Sequence, residues 1–180
     1  MKRLALSLAA TLAATPALAH PGAAGGFAAG IAHPLSGADH LLAMVAVGLW
    51  AGLCGGRAMG LLPAAFVGAM TLGFSLALAG LVLPGVEPVI LASVIVLGAL
   101  VALAVRMELR VATGLVALFG MFHGWAHGAE AGGAALAFAP GFVLATVLLH
   151  AAGVGLGRSA MAARGLGLVT AAAGLVLAVG

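Results

Sequence analysis

The chain has 180 residues, of which 64% are hydrophobic and 6% charged, with a formal net charge of +3. A soluble domain carries about 25% charged residues, so this composition excludes a water-soluble globular protein and predicts an integral membrane protein. The positive balance comes from scattered arginines rather than a basic patch, which excludes a nucleic-acid partner. Cys54 is the single cysteine; neither an intrachain disulfide nor a Cys-rich metal site can be built from it, and it reads as a small buried apolar side chain.

The first segment has the pattern of a secretory signal peptide. Lys2 and Arg3 precede an apolar run from Leu4 to Ala14, and Ala17-Leu18-Ala19 supplies the small-x-small cleavage pattern. Cleavage after Ala19 would leave a mature chain beginning at His20. The run is short for a bilayer span, which makes an uncleaved anchor the second choice.

A transmembrane helix needs about 20 apolar residues. Beyond His20 the chain divides into six such stretches: Ala38–Cys54, Gly60–Leu83, Pro88–Val105, Val111–Gly128, Ala134–Leu156 and Gly165–Val179. The predicted fold class is therefore all-α, a bundle of six transmembrane helices after a cleaved signal peptide. Residues 1–19 form the signal peptide and 20–180 a single transmembrane domain. With the mature N-terminus outside, the first, third and fifth connections hold Arg57, Arg106, Arg110, Arg158 and Arg164, which are all the arginines after the signal peptide. That distribution obeys the positive-inside rule and predicts a mature N-terminus on the outer face of the membrane.

Two polar clusters interrupt the hydrocarbon. The first stretch is led by His33-Pro34-Leu35-Ser36-Gly37-Ala38-Asp39-His40, with the chain's only aspartate; the fourth ends in Phe122-His123-Gly124-Trp125-Ala126-His127-Gly128-Ala129-Glu130. Imidazole and carboxylate are costly in lipid and mark function there. His123, His127 and Glu130 fall at i, i+4 and i+7, on one face of a helix. They span about 10 Å at 1.5 Å per residue, so they read as a ladder with Glu130 at the mouth and His123 deeper. Pro34 and Gly37 predict a helix start between them, leaving His33 in a loop at the mouth. The topology brings Asp39, His40, His123 and His127 to one depth. Neutral imidazoles with carboxylates suit nickel, cobalt, zinc or copper(II) rather than magnesium or calcium. Met44, one turn below His40, is a candidate soft ligand or plain core filler.

Gly48-x-x-x-Gly52-x-x-x-Gly56 and Gly120-x-x-x-Gly124-x-x-x-Gly128 place glycine along the same two helices. Small faces allow close helix approach in lipid, and the expectation is that the two clusters face each other across this seam. His150, toward the inner end of the fifth stretch, reads equally as an exit ligand, a proton acceptor or a hydrogen-bonded core residue. His20 is a frayed terminus that could chelate through its free amine. Glu87 and Glu108 lie in connections and are expected to be solvated.

Enzyme chemistry finds no support. His123-Gly124-Trp125-Ala126-His127 has the spacing of a zinc-protease helix but lacks the glutamate that acts as general base. Ser75 and Ser93 have no nucleophile context, and no phosphate-binding Gly-x-x-x-x-Gly-Lys-Ser/Thr loop is present.

Both clusters resemble the signatures of the HupE/UreJ family of small bacterial membrane proteins, His33-x5-Asp39-His40 the first-helix motif and Phe122 to Glu130 the fourth-helix motif. The resemblance extends over the whole chain. Members are regarded as nickel permeases linked to hydrogenase or urease maturation. The resemblance implies metal roles for His33, Asp39, His40, His123, His127 and Glu130. It also implies nickel(II), or cobalt(II), as a transported ion rather than a permanent cofactor. Its partners would be the divalent metal ion, the lipid bilayer and hydrogenase or urease accessory proteins, and small-residue faces would permit a homo-oligomer. The expected function is secondary nickel import from periplasm to cytoplasm, by a bacterial inner membrane protein whose mature N-terminus is periplasmic. The alternatives are a cobalt permease, a non-transporting metal sensor or metallochaperone, and a haem electron carrier using His40 and His123.

Overall fold

The computed structural model describes residues 26–180 and, within them, contains α-helices and one short 3-10 turn but no strand. The signal peptide and His20 lie outside the described residues. Helix α1 covers Phe27–Ser36, α2 Ala38–Cys54, α3 Ala58–Leu78, α4 Val86–Ala102, α5 Leu109–Glu130, α6 Ala135–Gly157 and α7 Ala160–Val179. Each predicted apolar stretch coincides with one of α2 to α7, shifted by a few residues at the ends.

The correction is α1. His33 does not sit in a loop: the residues before Gly37 form a helix of their own, with Pro34 inside it. Gly37, extended at φ −98° and ψ 117°, breaks the chain between α1 and α2, and the two helices meet at 88°.

Four helices, α3, α5, α6 and α7, are long and apolar enough to cross a bilayer. The bent α1–α2 pair passes the same criterion jointly, and α4 is a shorter apolar helix of 17 residues. The distribution of side chains is that of a membrane protein. Val82, Leu136, Met161 and Val179 are more than four-fifths exposed, whereas Ser93, His123, His127, Thr146, His150 and Thr170 are buried. An exterior of leucine and valine around an interior holding three histidines is stable only where the surroundings are hydrocarbon.

Helix α2 is the hub. Beyond its first turn it is apolar on all sides, and every residue from Ala43 to Gly52 except Val45 is buried, as expected for a helix enclosed by others. It packs against α6 and also touches α1, α3, α4 and α7; α3 pairs with α5, and α4 with α7. The predicted glycine seam is therefore corrected as well. Gly48 and Gly52 lie against the backbone of α6 at His150, Gly153, Val154 and Gly157, while Gly120, Gly124 and Gly128 lie against α3 at Phe66, Met70 and Phe74. The two small faces serve two different seams. Glycine is required where one helix's carbonyl occupies the space a Cβ would need.

The arginines gather at one end of the bundle. Arg106 Nη2 donates to Leu53 O at 3.3 Å, Arg164 Nε donates to Ala102 O at 3.0 Å, and Arg57 and Arg106 line one shallow depression. The nearby Trp50 indole donates to Val105 O at 2.9 Å. Helices α2 and α5 run from this end to the opposite one, where their histidines lie.

Candidate metal centre

Three helices deliver the polar cluster. The end of α1 supplies His33, the first turn of α2 supplies Asp39 and His40, and the last two turns of α5 supply His123, His127 and Glu130. The structure brings all six sequence-predicted residues together as a file. Ring centroids of His33 and His127 are 4.7 Å apart, His127 and His40 4.3 Å, and His40 and His123 4.8 Å. Glu130 closes the outer end, its Oε2 3.1 Å from His33 Nε2.

Depth follows the same order. Side-chain exposure falls from 62% at Glu130 to 34% at His33 and 15% at His40, and His127 and His123 are buried. The donor atoms of His33, His127 and Glu130 lie within 4.8 Å of one another, a spacing that small side-chain adjustments close around one ion. His123, one turn deeper on α5, belongs with His40 instead. The ladder read from the i, i+4, i+7 spacing is thus present, with its middle rung shared.

Hydrogen bonds fix which nitrogen each ring presents. Asp39 Oδ1 accepts from the His40 amide at 2.8 Å and from His40 Nδ1 at 2.9 Å. A carboxylate only accepts, so His40 carries a proton on Nδ1, and in the neutral ring the buried Nε2 has a free lone pair, without a partner among the described residues. At His123 the arrangement is reversed. Ser93 Oγ lies 2.6 Å from Ile90 O and 3.0 Å from His123 Nε2. The shorter oxygen–oxygen contact requires the hydroxyl proton between them, so Nε2 of His123 is the donor to Oγ and Nδ1 is the free acceptor. His127 has no hydrogen-bond partner on either nitrogen among the described residues. Two buried imidazoles with unclaimed nitrogens, beside a half-buried third whose Nε2 is itself buried, are an expensive arrangement without a ligand.

The walls are aromatic. Phe142 packs on His127 at 4.1 Å and Phe138 on His33 at 5.3 Å, and Phe74 stacks on both phenylalanines. Below His123, Phe66 crosses the file at 5.5 Å. Met44 is buried in the core with its sulfur 3.4 Å from the Thr146 hydroxyl. Sequence reasoning weighed Ser93 only as a nucleophile and set it aside; the sign of its role beside a histidine was a hydroxyl in the middle of an otherwise apolar stretch. It also passed over the phenylalanines, for which Phe138 and Phe142 at i, i+4 were a weak signal. Glu87 and Glu108 are exposed, Glu108 facing Arg110 at 3.9 Å.

Fold and site together define a polytopic helical membrane protein with a histidine–carboxylate cluster leading inward from one end. The family model described as HupE / UreJ protein matches residues 8–179. Protein HupE of Rhizobium leguminosarum bv. viciae is 42% identical over 187 residues, which covers 99% of this chain and 98% of that protein. The chain belongs to the HupE/UreJ family. No solved structure matches it.

Proposed function

We propose that the protein is a secondary permease importing nickel(II) from the periplasm to the cytoplasm, for the maturation of a hydrogenase or urease. Its helices α2 to α7 would form six spans in the inner membrane, after a cleaved signal peptide and with the mature N-terminus periplasmic. The observation that carries this reading is the file of buried imidazoles with free lone pairs, opening through Glu130 and His33 at the end opposite the arginines. Glu130 and His33 gather the hydrated ion, and His127, His40 and His123 replace its water in turn, with Asp39 holding His40. Several shared positions of moderate strength let an ion both enter and leave. The membrane potential contributes about 2.3 kcal/mol per charge at 100 mV, so a dication needs no ATP to move inward. Cobalt(II) would satisfy the same donors.

Nickel-63 uptake into cells expressing the protein, with cobalt, zinc and copper as competitors, tests the proposal. Saturable uptake above an empty-vector control supports it. Uptake equal to the control, with protein present in the membrane, rejects it and favours the second reading, a membrane metal sensor or metallochaperone. The ring of Phe66 packed beneath His123 is the feature that favours that alternative.

One further outcome is expected. Asp39→Asn should lower uptake by about 10- to 100-fold, the usual cost of losing the charged partner of a ligating histidine. Asparagine can hold the ring through its own oxygen but removes the charge that makes the imidazole basic. Uptake unchanged in this variant would mean that His40 needs no orientation.

A further inference from the structure

His150 is the buried histidine that the outer file does not use. It lies in α6 with 1% exposure, and neither ring nitrogen has a hydrogen-bond partner among the described residues. The hydrogen-bonded core role open to it from sequence is therefore absent, and an imidazole kept dry and unpartnered calls for another explanation. Its backbone is tightly placed, since Gly48 of α2 packs against the His150 carbonyl.

Its position is informative. Phe66 packs on both His123, at 5.5 Å, and His150, at 5.1 Å, so His150 and the deepest member of the outer file share one phenyl ring as neighbour. One turn of α6 toward the outer end, the Thr146 hydroxyl lies 3.4 Å from the sulfur of Met44 and 3.7 Å from that of Met70. Toward the outside His150 borders an open groove of about 650 Å³ between α3 and α6, whose other sides are apolar residues such as Pro63, Val67, Val147 and Val154. Ala64, Val147 and Ala151 are exposed there, so the groove faces the hydrocarbon and offers an ion no polar exit. His150 itself lies in the half of α6 nearest the arginines.

We infer that His150 is an inner station for the divalent ion, taking it from His123 past Phe66 on the way to the arginine end. The inference rests on the permease reading and extends it by one residue. The ion passes from the nitrogen donors of the outer file to a single further imidazole, with no bond made or broken except coordination. The station holds the ion briefly: one imidazole and water bind far more weakly than the outer file, which favours release.

The test compares nickel-63 import into vesicles with equilibrium nickel binding by the purified full chain, for wild type, His150→Leu and His150→Cys, the last on a Cys54→Ala background. His150→Leu should bind nickel at the outer file as wild type does yet import it at least about tenfold more slowly, equivalent to about 1.4 kcal/mol of barrier. His150→Cys keeps a ligating atom in place. It should recover import and show a sulfur-to-nickel charge-transfer band that the Cys54→Ala parent lacks. A purely structural role would not produce that band or separate binding from import. Import by His150→Leu at the wild-type rate overturns the inner station while leaving the permease standing; failure of wild type to import overturns both. If His150→Leu loses binding as well and so marks a damaged fold, His150→Cys decides. Import with the band supports the station, and a nickel-binding variant without band or import overturns it.

Discussion

Replacing His127 by alanine should bring nickel uptake down to the empty-vector level, a loss exceeding the roughly 100-fold that removal of an outer partner can cost. His127 is the node of the file. Its ring stands 4.7 Å from His33 and 4.3 Å from His40, and it is the member of the cluster with both nitrogens unclaimed among the described residues. Without it, Glu130 and His33 at the mouth are cut off from His40 and His123, and no neighbouring donor fills the gap because the facing wall is Phe142. The loss should appear in rate and not in abundance, since alanine suits a helix interior and the truncated ring made no hydrogen bond. Immunoblotting of membranes alongside uptake checks this. A variant present at wild-type level and importing at wild-type rate would take His127 off the path.

The second large effect is on the fold. Gly124→Leu should reduce the protein in the membrane to less than about a tenth of wild type, because effects above 4–5 kcal/mol arise where backbone must be displaced. A Cβ at Gly124 would collide with the Met70 carbonyl of α3, and Gly73 of α3 meets the Met121 carbonyl of α5 in the same way. The contact is backbone against backbone, so no rotamer change relieves it, and the seam must open along its length. Gly114→Leu is the control on the same helix. Nothing lies within 4 Å of a Cβ there, and leucine is the better helix former, so that variant should accumulate normally. Equal abundance of the two variants would show that the α3–α5 seam tolerates separation.

The sequence was most legible where physics is local. Apolar length marked the helices α2 to α7, the arginines marked one end, and the i, i+4, i+7 spacing placed His123, His127 and Glu130 on one stripe before any neighbour was known. The first cluster was half legible. Gly37 does mark a break, but Pro34 lies inside α1 rather than at a helix start. A ten-residue helix carrying Pro34 has too little length to stand out from a loop by periodicity. It exists because Gly30 and Gly141 let α1 settle on α6, each against the other helix's backbone. Partner choice was not legible at all. With 29 glycines in the chain, nothing in the repeats of α2 and α5 says which helix each small face will meet. The glycines of α5 met α3, and the histidines reached across to α2 by the length of their side chains. Ser93 was invisible for the same reason: the value of a hydroxyl in α4 depends on which ring of another helix comes to rest beside it.

Among the described residues no hydrogen bond joins α2 to α5, and their meeting is imidazole against imidazole. A metal ion held between His40 and His127 would therefore be a strut, bonded at both ends, across a gap that the protein itself leaves unbraced. Cargo and helix spacing would become one variable. Loading would draw α2 and α5 together and unloading would free them, since a ligand that binds one spacing better than another biases the bundle toward it by that difference in affinity and no more. The passenger, rather than any hinge built into the chain, would set when the two helices part.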